Sequence, residues 1–92
     1  MYDVIIIGAG PAGISAGLYT KRANLKVLII YKEKAGLEKA NLIENYYGFE
    51  KGITGAELYQ TGIKQAKHLG IDIKKEEVIN VQIKENGEYK II

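Results

Sequence analysis

Val4-Ile5-Ile6-Ile7-Gly8-Ala9-Gly10-Pro11-Ala12-Gly13 joins a run of apolar, β-branched residues to a G-x-G-x-x-G turn a few positions after Met1. The glycine pattern alone is common. Its context here is specific: helix-compatible sequence follows it, and a second apolar run, Val27 to Ile30, closes a βαβ unit of about thirty residues. That combination reads as a dinucleotide pyrophosphate site on an α/β, Rossmann-like fold with parallel strands. Gly8 lets the chain leave the strand in a tight turn, Gly10 lets backbone approach a pyrophosphate, and Gly13 lets the helix pack closely. Pro11 suits the first helical turn, where its missing N–H is no loss. The free N–H groups and positive dipole end of that helix then face the anion. The competing reading is a tight β-to-α turn that binds nothing.

Outward from this unit, Ala12, Ala16, Tyr19 and Ala23 recur at helical spacing, with Ile14 and Leu18 beside them. Lys21 and Arg22 fall in the last turn, where cations suit the dipole, and Asn24 reads as a left-handed cap. Residues 32–53 carry no sustained period; they predict an irregular connection with a short helical turn around Leu37 to Ala40. A connection that long is usually functional. Thr54, with Glu57 three residues on, predicts a capping box opening a second helix. Tyr59, Ile63, Ala66 and Leu69 form its apolar face, and Gly70 ends it. Ile71 to Ile73 predicts a short third strand. Val78, Ile79, Val81 and Ile83 begin another, and Asn86-Gly87 turns it into a C-terminal β-hairpin whose return strand is Tyr89 to Ile92.

Size and charge bound what this unit does. Ninety-two residues make one small domain, which buries roughly 60–65% of the surface its unfolded chain exposes. The net charge of +2 comes from interspersed lysines and acids, and Arg22 is the only arginine, so no nucleic-acid partner is implied. No apolar stretch reaches membrane-spanning length and no positive leader precedes the first strand, so a cytoplasmic protein is the expectation. The chain has no cysteine, hence no disulfide, thiolate metal site or cysteine nucleophile within it. His68 falls among the polar positions of the second helix and reads as solvated. No residue reads as a catalytic acid, base or nucleophile, and Glu44 beside Asn45 is taken as structural.

In NAD-binding units an acid at the end of the second strand accepts hydrogen bonds from ribose hydroxyls, roughly twenty residues past the last glycine. Here that place holds Tyr31, followed by Lys32. The Tyr31-Lys32 pair would tolerate or attract a 2′-phosphate, which keeps NADP open. Glu33 would substitute only if the loop folds back, and Tyr31 as a plain surface-facing strand end is the equal alternative.

Gly8-Ala9-Gly10-Pro11-Ala12-Gly13, Ser15-Ala16-Gly17-Leu18-Tyr19 with Arg22 behind it, and Glu44-Asn45-Tyr46-Tyr47-Gly48-Phe49 together resemble the N-terminal FAD-binding part of the low-molecular-weight thioredoxin reductase family. The resemblance runs over essentially all of the chain. It implies that residues 1–92 are a partial FAD-binding domain, with the central NAD(P)H-binding domain and the FAD-completing C-terminal segment absent. The chain then reads as a fragment, a truncated frame or one chain of a split enzyme. By the same resemblance Gly8, Gly10, Pro11, Ala12 and Gly13 would hold the FAD pyrophosphate, Asn45 would sit near the isoalloxazine, and the Val78 backbone would contact the adenine. Family members pass electrons from NADPH through flavin to a disulfide or another acceptor. Three departures stand out: Tyr31 in the acidic place, Lys34-Ala35-Gly36-Leu37 where the family has Gly-Gly-Gln-Leu, and Tyr47 where it has proline. They point to a sister flavoprotein of unknown acceptor. A second class of function is a non-catalytic nucleotide-binding or assembly module that pairs with itself or a complementary chain through the strand ending at Ile92. A third is a truncated folding unit with weak nucleotide affinity.

Overall fold

The residues Val27-Leu28-Ile29-Ile30 are apolar on both faces, as a strand covered on both sides must be. They form the middle strand of the fold, and all four are buried. The computed structural model describes residues 1–32 and 42–92. In chain order these hold β1 (Val4–Ile7), α1 (Pro11–Arg22), β2 (Val27–Tyr31), α2 (Gly55–His68), β3 (Asp72–Lys75), β4 (Val81–Ile83) and β5 (Tyr89–Ile91). The sheet order is β1-β2-β3, all parallel, with Val4 opposite Val27 and Ile29 opposite Ile73; β4 and β5 form a separate antiparallel ladder. The α/β class, the parallel strands, the second helix and the C-terminal hairpin are therefore as the sequence predicts. The predicted short helix around Leu37 to Ala40 lies outside the described residues.

Alternation along β2 sends Val27 and Ile29 toward the helices. There they meet Ile14 of α1, Tyr59, Ile63 and Ala66 of α2, and Ile71 in one cluster, with Ile29 fully buried. The buried face of α1 is only part of the predicted set: Ile14 is buried and Leu18 half-buried, whereas Ala12, Ala16, Tyr19 and Ala23 are exposed and Gly17 is buried as well. The reason is contact area and reach. Ile14 offers far more apolar surface than an alanine, and Gly17 lets the helix backbone come so near β2 that a Cβ there would lie 2.9 Å from Ile29 Cδ1. Past the helix end Asn24 takes φ 66°, the predicted left-handed cap.

Thr54 caps α2 as predicted, its Oγ1 accepting from the Glu57 N–H at 3.2 Å. The return arm differs: the Thr54 hydroxyl donates to Glu57 Oε1 at 2.8 Å. Thr54→Ala should cost on the order of 1 kcal/mol, read as a fall in melting temperature of roughly 4–8 °C. Leu58 joins Tyr59, Ile63 and Ala66 on the buried face, whereas Leu69 is exposed because it is the C-cap and has left the helical stripe.

Strand β3 runs one residue later than predicted, since Ile71 is spent on the buried turn out of α2. Strand β4, unlike β3, is shorter than predicted, although Ile79 and Asn80 extend its ladder by donating to Ile92 O at 2.7 and 3.3 Å. At the hairpin Gly87 (φ +85°) donates to Lys84 O at 3.0 Å and Lys84 donates to Glu88 O at 2.7 Å. This is the three-residue, type I plus bulge pattern rather than a two-residue Asn-Gly turn. Asn86 keeps negative φ, as the third residue of a type I turn does, and its side chain accepts from the Glu88 N–H at 3.1 Å.

The N-terminal ends of the strands are tied by a cluster that the sequence reading did not single out. Tyr2 OH donates to Asp72 Oδ2 at 2.7 Å, the Lys26 ammonium lies 5.1 Å from the Tyr2 ring centroid, and Asp3 Oδ2 accepts from the Lys26 N–H at 2.8 Å. The bond to Asp72, then desolvation and the Asp72 charge, raise the Tyr2 pKa above its ordinary value. A group with a raised folded-state pKa stabilises the fold fully below its unfolded pKa, about 10 for tyrosine, and that contribution is lost as pH climbs through the folded value. Thermal stability should therefore drop as Tyr2 ionises beside Asp72. Tyr2→Phe should remove that part of the alkaline decline, read by melting curves from about pH 8 to 11.

Candidate functional site

The site begins where β1 ends. Gly8 donates to Ile30 O at 2.7 Å, the last rung beside β2, and turns away with φ +114°, a conformation that L side chains rarely adopt. Buried Ala9 leads to Gly10, the N-cap of α1, with Pro11 in the first turn. Gly13 closes the turn from inside: a Cβ there would lie 2.1 Å from Gly8 O and 2.9 Å from Gly8 C.

Gly10 differs from its neighbours. Its φ of −71° and ψ of −176° are open to any residue, and a Cβ would meet no atom of the described residues within 4 Å. Neither backbone conformation nor internal packing requires glycine there. Serine, threonine or aspartate at an N-cap would satisfy one helix N–H, yet α1 has no capping side chain and no acid in its first turn. The contrast with α2 is direct, for α2 is closed by Thr54 and carries Glu57 in its first turn. Helix geometry leaves the N–H groups of Ala12 and Gly13 without an intrahelical acceptor, and Ala12 is exposed. The α1 N-terminus is thus a positive dipole end with no side-chain cap and, among the described residues, clear space at Gly10, which can receive a phosphate-type anion.

Two cavities flank this turn. One, of about 230 Å³, opens at the C-terminal ends of the parallel strands and is lined by Gly8, Tyr31, Lys32, Glu76, Glu77 and Val78 with Ile7 and Ile30. It brings together four residues singled out from sequence, Gly8, Tyr31, Lys32 and Val78. The Tyr31 ring packs edge-on to Tyr59, with centroids 6.0 Å apart at 68°, so it is half-buried rather than a plain surface-facing strand end. Lys32 Nζ lies 3.9 Å from Glu77 Oε1, both side chains well exposed.

The second cavity, of about 130 Å³, lies between α1 and α2 and is lined by Gly10, Pro11, Ser15, Tyr46, Phe49 and Gly62 among others. Tyr46 and Phe49 pack at 6.0 Å, and the loop that carries them is closed by paired bonds between Ile43 and Ile53 at 2.7 and 2.9 Å. Asn45 sits exposed in that loop and lines neither cavity. Glu44 is exposed next to the Ile43–Ile53 bridge, and His68 is exposed at the end of α2. Glu33 and Lys34-Ala35-Gly36-Leu37 fall outside the described residues. Sequence reading missed Glu76, Glu77 and Gly62, because only the tertiary structure carries the segment after β3 to the end of β2, and α2 against Ile14. No group of His, Asp or Glu among the described residues is arranged to hold a metal ion.

A parallel sheet with a glycine turn leading into an uncapped helix, and cavities at the strand ends, defines a Rossmann-type α/β protein. The model of the pyridine nucleotide-disulphide oxidoreductase family matches residues 2–91, and the chain belongs to that family. Thioredoxin reductase of Bacillus subtilis is 43% identical over 94 residues, covering all of this chain and 29% of that protein. The atypical thioredoxin reductase TRi of Desulfovibrio vulgaris superposes with a TM-score of 0.89 at 34% identity, over 99% of this chain and 30% of that one. Thioredoxin reductase of T. acidophilum gives 0.85 at 38% identity, over 99% and 30%. The resemblance read from the sequence motifs is borne out, and the chain spans less than a third of the length of these relatives. No helix among the described residues is long and apolar enough to cross a membrane.

Proposed function

We propose that this chain is the FAD-binding segment of an NAD(P)H-dependent flavoprotein oxidoreductase of the thioredoxin reductase type, with residues 1–92 forming part of its FAD domain. The observation that carries the reading is Gly10, a glycine at an N-cap position where the fold itself would accept any residue and a side chain would stabilise the helix. A ligand phosphate drawn up to the backbone accounts for it. In this reading Gly8, Gly10, Pro11, Ala12 and Gly13 surround the pyrophosphate, Asn45 lies toward the isoalloxazine, and the Val78 backbone meets the adenine. NAD(P)H binding belongs to a further domain of the whole enzyme. Bound flavin would supply the hydride and electron chemistry, and this chain binds and orients it.

The test is the visible absorbance spectrum of the purified chain, before and after incubation with FAD and desalting. Flavin bands at close to one flavin per chain support the reading. A colourless protein that neither copurifies with nor retains FAD overturns it for this chain.

A second reading, an assembly module, is favoured by one feature. A groove of about 730 Å³ runs between Ile5 and Ile7 of β1 and Val81, Tyr89 and Ile91 of the hairpin, and Ile7 and Tyr89 are strongly exposed. β1 is the outer strand of its sheet, so one more strand of a complementary chain or a second copy would pair there. In this reading β1 offers an open edge in addition to the strand ending at Ile92. Stoichiometric self-association without flavin, measured by size-exclusion chromatography with light scattering, is its expected result.

A further inference from the structure

The cavity at the strand ends has a charge pattern that Tyr31 and Lys32 alone do not suggest. The place where Rossmann dinucleotide units carry a ribose acid, the end of β2, is taken by Tyr31, whose ring is committed to Tyr59 in the core. The chain then supplies acids from the neighbouring strand. Glu76 donates its N–H to Tyr31 O at 2.8 Å, continuing the β2–β3 ladder past Lys75, and this bond fixes Glu76 and Glu77 beside the C-terminal end of β2. Both line the same cavity as Gly8 of the phosphate turn and Val78. Among the described residues the charged side chains lining it are Lys32, Glu76 and Glu77, a net negative set, and Lys32 is drawn toward Glu77 at 3.9 Å.

Resting on the flavin-segment reading above, we propose that Glu76 and Glu77 determine specificity at the adenosine end of this site: their carboxylates accept from the ribose hydroxyls, and together with the paired Lys32 they exclude a 2′-phosphate. A carboxylate is an acceptor only, which suits a 2′-hydroxyl and repels a phosphate dianion. The site takes adenosine diphosphate ligands with a free 2′-hydroxyl, FAD among them, and rejects 2′-phosphorylated ones. The 2′-phosphate reading of Tyr31-Lys32 is thereby disfavoured on charge.

The test is competition by ADP-ribose, 2′-phospho-ADP-ribose, ADP and 2′-deoxy-ADP against FAD fluorescence on the full chain. The expected preference of ADP-ribose over its 2′-phosphate, and of ADP over 2′-deoxy-ADP, is about tenfold each, the worth of a hydrogen bond to a charged acceptor. Glu76→Gln/Glu77→Gln should erase most of both preferences. Both side chains are exposed, so the variant should keep the wild-type melting curve, and Glu77→Gln alone, which frees Lys32, should improve 2′-phospho-ADP-ribose binding. Wild-type chain that binds FAD and ADP without either preference, or preferences unchanged in the double variant, overturns this proposal and leaves the flavin reading standing. Failure of the wild type to bind FAD or any of the four ligands overturns both.

Discussion

Gly10→Val is expected to abolish FAD and ADP binding, weakening it by at least about a hundredfold, while the protein stays folded. Losing two or more charge-assisted hydrogen bonds, at about 1.5–3 kcal/mol each, accounts for that factor. The fold should survive because the backbone at Gly10 is extended and a Cβ there meets no atom of the described residues within 4 Å. The expected structural cost is about 1 kcal/mol, since valine is a poorer N-cap than glycine. Titration with FAD beside a melting curve reads both effects. Undiminished nucleotide binding in this variant would mean that the ligand sits away from the α1 N-terminus.

Gly13→Ala is expected to destabilise the fold as well as remove the site. The added carbon would lie 2.1 Å from Gly8 O, and the obstacle is backbone rather than the movable end of a side chain. Either the turn opens or α1 lifts from the sheet. Alanine gains up to about 1 kcal/mol in helix propensity, yet overpacking against backbone should cost about 3 kcal/mol or more, lowering the melting temperature by more than about 10 °C. Gly17→Ala is the matched control. Its clash, 2.9 Å, is with Ile29 Cδ1, which can rotate away, so strain and propensity should nearly cancel. Equal melting temperatures for the two alanine variants would refute this account of Gly13.

Much of the fold was legible because its determinants are local. The β-branched runs of β1 and β2, the Thr54 and Glu57 pair, the left-handed Asn24 and the Asn86-Gly87 turn each act within a few residues, and each stands where the sequence predicts. The misreadings have a common cause. Counting alanines on α1 gave the wrong face, since the rotation of a helix is decided by what it packs on, here Ile29 against Gly17. Leu69 fits the period of α2 but has passed its end. The N-terminal tie of Tyr2 to Asp72 spans 70 positions of sequence, and no local pattern announces it.

For the candidate site the division is similar. Sequence by itself determined the glycine turn, because G-x-G-x-x-G between a strand and a helix states a backbone requirement that few other conformations satisfy. It also carried the family resemblance, whose motifs lie at fixed spacing. Only the tertiary structure decided that Gly10 is free of any internal constraint, that the Tyr31 ring is spent on Tyr59, and that Glu76 and Glu77 arrive beside Gly8 and Lys32. The last of these depends on parallel strands that bring residues more than forty positions apart to one sheet end, and distances of that kind are set by packing and register, which a linear pattern does not contain.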